Sequence, residues 1–98
     1  MLDDGTSARL GEGHYLMTTT TAAAGLVMRH MDFVHQAFCS DWEVRFISVT
    51  EAWAQFAVAG PKARALVNSF LERPVDLPFM GVAPVRIGGV EGRLFRIS

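Results

Sequence analysis

Trp53-Ala54-Gln55-Phe56-Ala57-Val58-Ala59-Gly60-Pro61-Lys62-Ala63-Arg64 reads as a strand running into a helix, and that junction decides the fold class. Residues 53–58 carry the aromatic and β-branched side chains that suit a pleated surface. Gly60-Pro61 then opens a helix, with Pro at the first helical position, where its missing N–H leaves nothing unsatisfied. Ala63, Leu66, Val67 and Phe70 recur at helical spacing and give that helix its buried stripe, and Pro74 is expected to stop it. Immediately upstream, Val44-Arg45-Phe46-Ile47-Ser48-Val49 has the same strand composition, with Thr50-Glu51 as the connection.

Further toward the N-terminus, Thr6 to Leu10 and His14 to Thr19 are short, partly alternating segments separated by Gly11-Glu12-Gly13, the composition of a hairpin turn. Between the two strand pairs, Val27, Met31, Val34 and Phe38 lie on one helical face, with Arg29, Asp32 and Gln36 on another. This predicts a helix from about Thr21 to Cys39, capped by Thr20 or Thr21. On the C-terminal side, Asp76-Leu77-Pro78 is a connector. Val85-Arg86-Ile87 and Arg93 to Ile97 form a last hairpin around Gly88-Gly89. The predicted order is ββαββα followed by a hairpin, an α+β domain with a ferredoxin-like antiparallel sheet and two helices on one face. The run of strand-like residues reaches Ser98 with no closing turn or polar tail, and a fragment of a longer protein is expected.

Length and charge narrow the function classes. The chain has 98 residues, room for one domain and not for a two-domain enzyme with its own dinucleotide site. The net charge is −1, which removes the electrostatic basis for binding nucleic acid or an anionic membrane surface. The apolar run from Thr20 to Val27 is far shorter than the ~20 residues a membrane span needs. No basic n-region followed by an apolar core stands at the N-terminus, so a cytoplasmic location is expected.

Few residues suggest chemistry by themselves. Asp3-Asp4 is the one adjacent acid pair; two ionised neighbours need solvent, a donor or a bound cationic group, and a solvated turn is the simpler reading. Thr18 to Thr21 could offer hydroxyls to a ligand, or could simply be a strand end and a helix cap. His30 and His35 are five residues apart, about 140° around a helix, and with His14 they make no metal set. Cys39, the single cysteine, reads as a helix-end thiol without a role. Gly60-Pro61-Lys62 offers helix amides and one cation to an anion, but lacks a full glycine-rich phosphate loop. Trp42 and Trp53 read as core or interface mass, and Met17, Met28, Met31 and Met80 as core fillers.

Several segments together resemble one known family. Met1-Leu2-Asp3-Asp4-Gly5, Arg9-Leu10-Gly11-Glu12-Gly13-His14-Tyr15-Leu16, Trp53 to Arg64 and Leu77-Pro78-Phe79-Met80 are similar, in order and spacing, to the glycine-cleavage T-protein (aminomethyltransferase) fold family. Within it, the Asp-Asp-Gly opening and the Met17-Thr18-Thr19-Thr20-Thr21 strand end look most like the folate-binding half of the α subunits of heterotetrameric sarcosine oxidases. The resemblance covers essentially the whole chain.

It implies a subdomain of a three-part, tetrahydrofolate-holding fold, with Asp3 or Asp4 as the folate-facing acid and Thr18 and Thr20 as cofactor-binding positions. T-proteins commonly place Asn at about the position of Thr20, where a Thr offers a hydroxyl in place of the amide. It also implies a flavin-dependent parent enzyme that demethylates sarcosine and delivers the one-carbon unit to tetrahydrofolate, giving 5,10-methylenetetrahydrofolate. FAD, FMN and NAD would sit in the parent complex outside these residues, the other sarcosine oxidase subunits would be partners, and the isolated piece would be inactive. The family's next segment would begin just after Ser98. The alternatives are another T-protein relative, such as an aminomethyltransferase or a sarcosine oxidase γ subunit, or a non-enzymatic ferredoxin-like assembly module whose strand edges could pair into a homo-oligomer.

Overall fold

A computed structural model describes all residues from Met1 to Ser98. The chain divides into two compact units, Met1–Ala54 and Gln55–Ser98.

The first unit opens with a hairpin of β1 (Ser7–Gly11) and β2 (His14–Met17). Ser7 pairs with Met17, Ala8 with Leu16 and Arg9 with Tyr15, and the register shifts between Arg9 and Gly11. Gly13 makes the turn possible with φ of +67°, a conformation that costs a side-chain-bearing residue about 1 kcal/mol or more. Ala8 is buried. Helix α1 covers Ala24–Phe38. Val27, Met31 and Val34 of its expected stripe are half-buried, whereas Phe38 is exposed and meets Phe33 edge to face at 6.1 Å.

The helix starts later than the sequence suggests, because neither Thr20 nor Thr21 caps it. Its N-cap is Ala23, without a side-chain hydrogen bond, and the amides of Ala23 and Ala24 donate instead to the carbonyls of Thr20 and Thr21. At the other end Cys39 is the C-cap: its N–H donates to the His35 carbonyl and its Sγ to the Val34 carbonyl, the helix-end position expected of it. The chain then folds back, with the Trp42 carbonyl 2.9 Å from His35 Nε2 and the Phe46 ring edge-to-face with the imidazole at 5.9 Å.

In the second unit, α2 spans Ala63–Phe70, β3 spans Val82–Ile87 and β4 spans Val90–Phe95. Pro61 lies ahead of α2 rather than at its first position. The N-cap is Lys62, and Gly60, with φ of +123°, supplies the carbonyl that receives the Ala63 amide. Nor does Pro74 end the helix. Leu71 already leaves it in extended conformation and forms a bridge with Ile87, so capture by β3 sets the boundary. Leu71 and Val85 are the buried residues here. The β3–β4 hairpin is in regular register from Val82↔Phe95 to Ile87↔Val90, closed by Gly88 and Gly89 with φ of +56° and +81°, as two-residue turns of this twist demand. Glu72 and Glu91 both pair with Arg86, and Glu72 also accepts the Gly89 amide at 3.0 Å, tying the turn to the end of α2.

These elements form a small α+β fold, consistent with a ferredoxin-like subdomain. The expected central strands, Val44–Val49 and Trp53–Val58, are a correction: no ladder forms there, only a single 3₁₀ turn at Thr50–Ala52, and the sheets are two separate two-stranded ones. Ile47 is 78% exposed and Phe56 86%. β-Propensity measures the fit to neighbouring strands, and neither segment has one beside it here. The methionines divide: Met28 and Met31 are half-buried, while Met17 and Met80 are exposed, as are Trp42 and Trp53. No helix is long and apolar enough to cross a membrane.

Candidate functional site

The polar groups of the first unit converge where the N-terminal residues run beside the end of β2. Past the last ladder pair, Ser7↔Met17, the two strands stay sewn together by threonines. The Thr18 amide donates to the Thr6 carbonyl at 2.8 Å, the Thr6 amide donates to Thr18 Oγ1 at 3.1 Å, and the two hydroxyl oxygens are 2.7 Å apart. At Gly5 the backbones approach so closely that a Cβ would lie 1.9 Å from the Thr18 carbonyl oxygen. Only glycine fits there.

Asp3 adds the next link. Its carboxylate accepts the Thr20 amide at 2.7 Å, and the Thr20 hydroxyl lies 3.1 and 3.2 Å from its two oxygens. The Thr20 N–H holds the Asp3 carboxyl below its ordinary range; partial desolvation opposes this, and the Asp4 amide and the Thr20 hydroxyl reinforce it. Hydrogen bonds to the charged form favour that form. A carboxyl whose folded value is depressed stabilises the fold above its unfolded value, near ~3.9 for Asp, and that contribution disappears as pH falls through the lower folded value. The Thr20 amide is therefore expected to remain protected from hydrogen exchange at pH 5 and to lose protection only in stronger acid; loss of protection already at pH 5 would contradict this.

Asp4 differs from its neighbour. Its Oδ1 accepts the amide of the next residue, Gly5, at 2.9 Å, a purely local bond, and its side chain makes no other hydrogen bond. The sequence alone leaves the two acids equivalent, but the structure gives Asp3 a partner seventeen residues away and leaves one oxygen of Asp4 available. Of the two threonines proposed for a ligand, Thr18 is joined to Thr6 and Thr20 to Asp3. What reading the sequence missed is the part played by Gly5 and Thr6; the signal for it was the Gly following two acids, with hydroxyl residues facing each other across the strands.

Other features singled out from the sequence stay apart from this cluster. No three His, Cys, Asp or Glu side chains gather as a metal-ligand set. In the second unit an open, mainly apolar groove of about 610 Å³ lies at the start of α2, lined by Val58, Gly60, Pro61, Lys62, Ala63 and Leu66, with Lys62 its one charged residue. The Leu77–Met80 motif forms a turn in which Met80 adopts φ of +61°. Its amide donates to the Arg96 carbonyl at 2.7 Å, and the Arg96 guanidinium reaches the Leu77 carbonyl at 2.7 Å.

A small α+β module with an Asp-Asp-Gly lead-in stitched to a threonine-rich strand end is the class that fold and site define. Within it, the chain belongs to the GCVT N-terminal domain family, which matches residues 1–98. Among characterised proteins it is 43% identical, over 98% of its length, to the sarcosine oxidase subunit alpha of Rhizobium meliloti (strain 1021). It is 37% identical over its full length to the subunit of the same name from Corynebacterium sp. (strain U-96). To the aminomethyltransferase of Thermus thermophilus it is 33% identical over 98% of its length. The chain spans only 10% and 11% of the two oxidase subunits and 27% of the aminomethyltransferase. No solved structure matches it significantly. The T-protein resemblance read from the sequence is thus borne out.

Proposed function

We propose that these residues are a subdomain of a sarcosine oxidase α subunit, from the region that binds tetrahydrofolate, where the one-carbon unit released by oxidative demethylation of sarcosine is captured as 5,10-methylenetetrahydrofolate. The observation that carries the reading is the 43% identity to a protein named sarcosine oxidase subunit alpha along nearly the whole chain. Asp4 is the folate-facing acid in this reading. Its available oxygen suits the N–H donors and the developing positive charge of a reduced folate amine, and a carboxylate next to such a nitrogen can hold or move a proton during transfer. Asp3 is occupied by Thr20, and the Thr18 and Thr20 hydroxyls contribute by fixing the backbone around Asp4.

The rest of the machinery belongs to the longer chain and its partner subunits: FAD, FMN and NAD, the oxidation site and the remaining walls of the folate cavity. This domain supplies an acid and the frame that holds it. The exposed Ile47 in the first unit and Phe56 in the second each favour a face covered by other parts of such an assembly.

The test is calorimetric titration of tetrahydrofolate into the full-length parent protein in its complex. Asp4→Asn keeps the size of the side chain but removes its charge, and a loss of about tenfold or more in affinity is expected, the scale of a hydrogen bond to a charged group. Unchanged affinity would rule Asp4 out, and no binding by the wild-type complex would favour the assembly-module reading.

A further inference from the structure

We propose that Asp3 and Thr20 form a positioning pair, which fixes the backbone on the N-terminal side of Asp4 and thereby sets how the acid is presented to the folate. This rests on the reading of Asp4 as the folate-facing acid. Asp4 lies between two anchors. On one side, Asp3 is held to Thr20 through both oxygens. On the other, Gly5 is pressed against the Thr18 carbonyl and Thr6 is joined to Thr18 through backbone and hydroxyl groups of both residues. The same short run of threonines, 18–20, receives both anchors, so the position of Asp4 is tied to the end of β2.

An acid presented this way keeps its place without bonding across the strands itself, and its second oxygen stays available for a ligand donor. Preorganised acceptors need no reorganisation when the ligand arrives, and freeing one loses affinity even though no ligand contact is deleted. The Thr20 hydroxyl is engaged by Asp3, so in this chain its contribution to binding is indirect.

The experiment is a double-mutant cycle in the full-length parent complex, read as the dissociation constant for tetrahydrofolate with the melting temperature followed in parallel. The variants are Asp3→Asn, Thr20→Val, Thr20→Ser, the Asp3→Asn/Thr20→Val double variant and Asp4→Asn. Asp3→Asn is expected to weaken binding about tenfold, and Thr20→Val, which keeps the amide contact, several-fold. Thr20→Val is expected to add nothing in the Asp3→Asn background, because residues acting through one bond are not additive. Thr20→Ser, which keeps the hydroxyl, should recover most of the loss.

Three results would overturn the pair. In the first, Asp3→Asn lowers the melting temperature but leaves the dissociation constant unchanged, a structural bond only. In the second, Thr20→Val weakens binding equally with and without Asp3, so that Thr20 touches the ligand itself. In the third, Asp3→Asn abolishes binding while Asp4→Asn does not, which overturns the assignment of the acid as well. The first of these, found together with a loss for Asp4→Asn, removes the positioning role alone and leaves the functional reading intact.

Discussion

Replacing Gly5 by alanine is expected to destabilise the N-terminal unit by about 1–3 kcal/mol, the usual cost of forcing extra atoms into an occupied space. The added Cβ would stand 1.9 Å from the Thr18 carbonyl oxygen and 2.9 Å from its carbon. Both are backbone atoms, so no side chain can swing away; the two strands must separate. The separation breaks the Thr18-to-Thr6 amide bond and the threonine contacts around it, and it carries Asp3 away from Thr20. The change should therefore be seen locally as well as globally. Hydrogen exchange in the full-length protein should show the Thr18 and Thr20 amides losing protection, while amides in the middle of α1 keep theirs. If Asp4, the preceding residue, is the folate-facing acid as proposed, folate affinity should fall with them. Wild-type protection at Thr18 would show that the strands accommodate the methyl group, and the account of the stitched lead-in would be wrong.

That Gly5 emerges only from the structure shows where sequence reading reaches its limit in this protein. What depends on local chemistry was legible. Gly88-Gly89 specifies its hairpin because two adjacent residues with positive φ are required there, and glycine alone takes that conformation freely. The amphipathic stripe of α1 and the helix-end place of Cys39 were equally local. What depends on distant partners was not legible. Val44–Val49 and Trp53–Val58 have strand composition, but composition carries no information about whether a neighbouring strand is present to pair with. Thr20 was a sound choice for a helix cap by residue type, yet its amide and hydroxyl are taken by an aspartate seventeen residues earlier. The same contact separates Asp3 from Asp4. Nothing in the order Asp-Asp-Gly distinguishes the two acids, and one long-range hydrogen bond does.

In the second unit the largest effect is expected at Leu71. It is 8% exposed, bridges to Ile87 where α2 meets the β3–β4 hairpin, and ends the helix. Leu71→Ala deletes three buried carbons, and substitutions of this kind cost ~2–5 kcal/mol. The lower end, about 2 kcal/mol, is expected here, because Val85 is the other buried side chain of the unit and a partly open site can relax around the gap. The polar contacts nearby are no substitute. Arg86 pairs with Glu72 and Glu91 at 3.7 and 3.3 Å, but all three side chains are about half exposed or more, and exposed pairs contribute ~0–1 kcal/mol. Apolar contact, not the ion pairs, then sets the attachment of α2 to the hairpin. Denaturant unfolding of the full-length protein should show the loss, with the Glu72 amide, which donates to the Arg86 carbonyl at 3.0 Å, exchanging faster. If Leu71→Ala is neutral and removal of salt screening stabilises the unit instead, the charges would be its main fastening. The exposed β3 and β4 side chains would then be free to repack without loosening the end of α2.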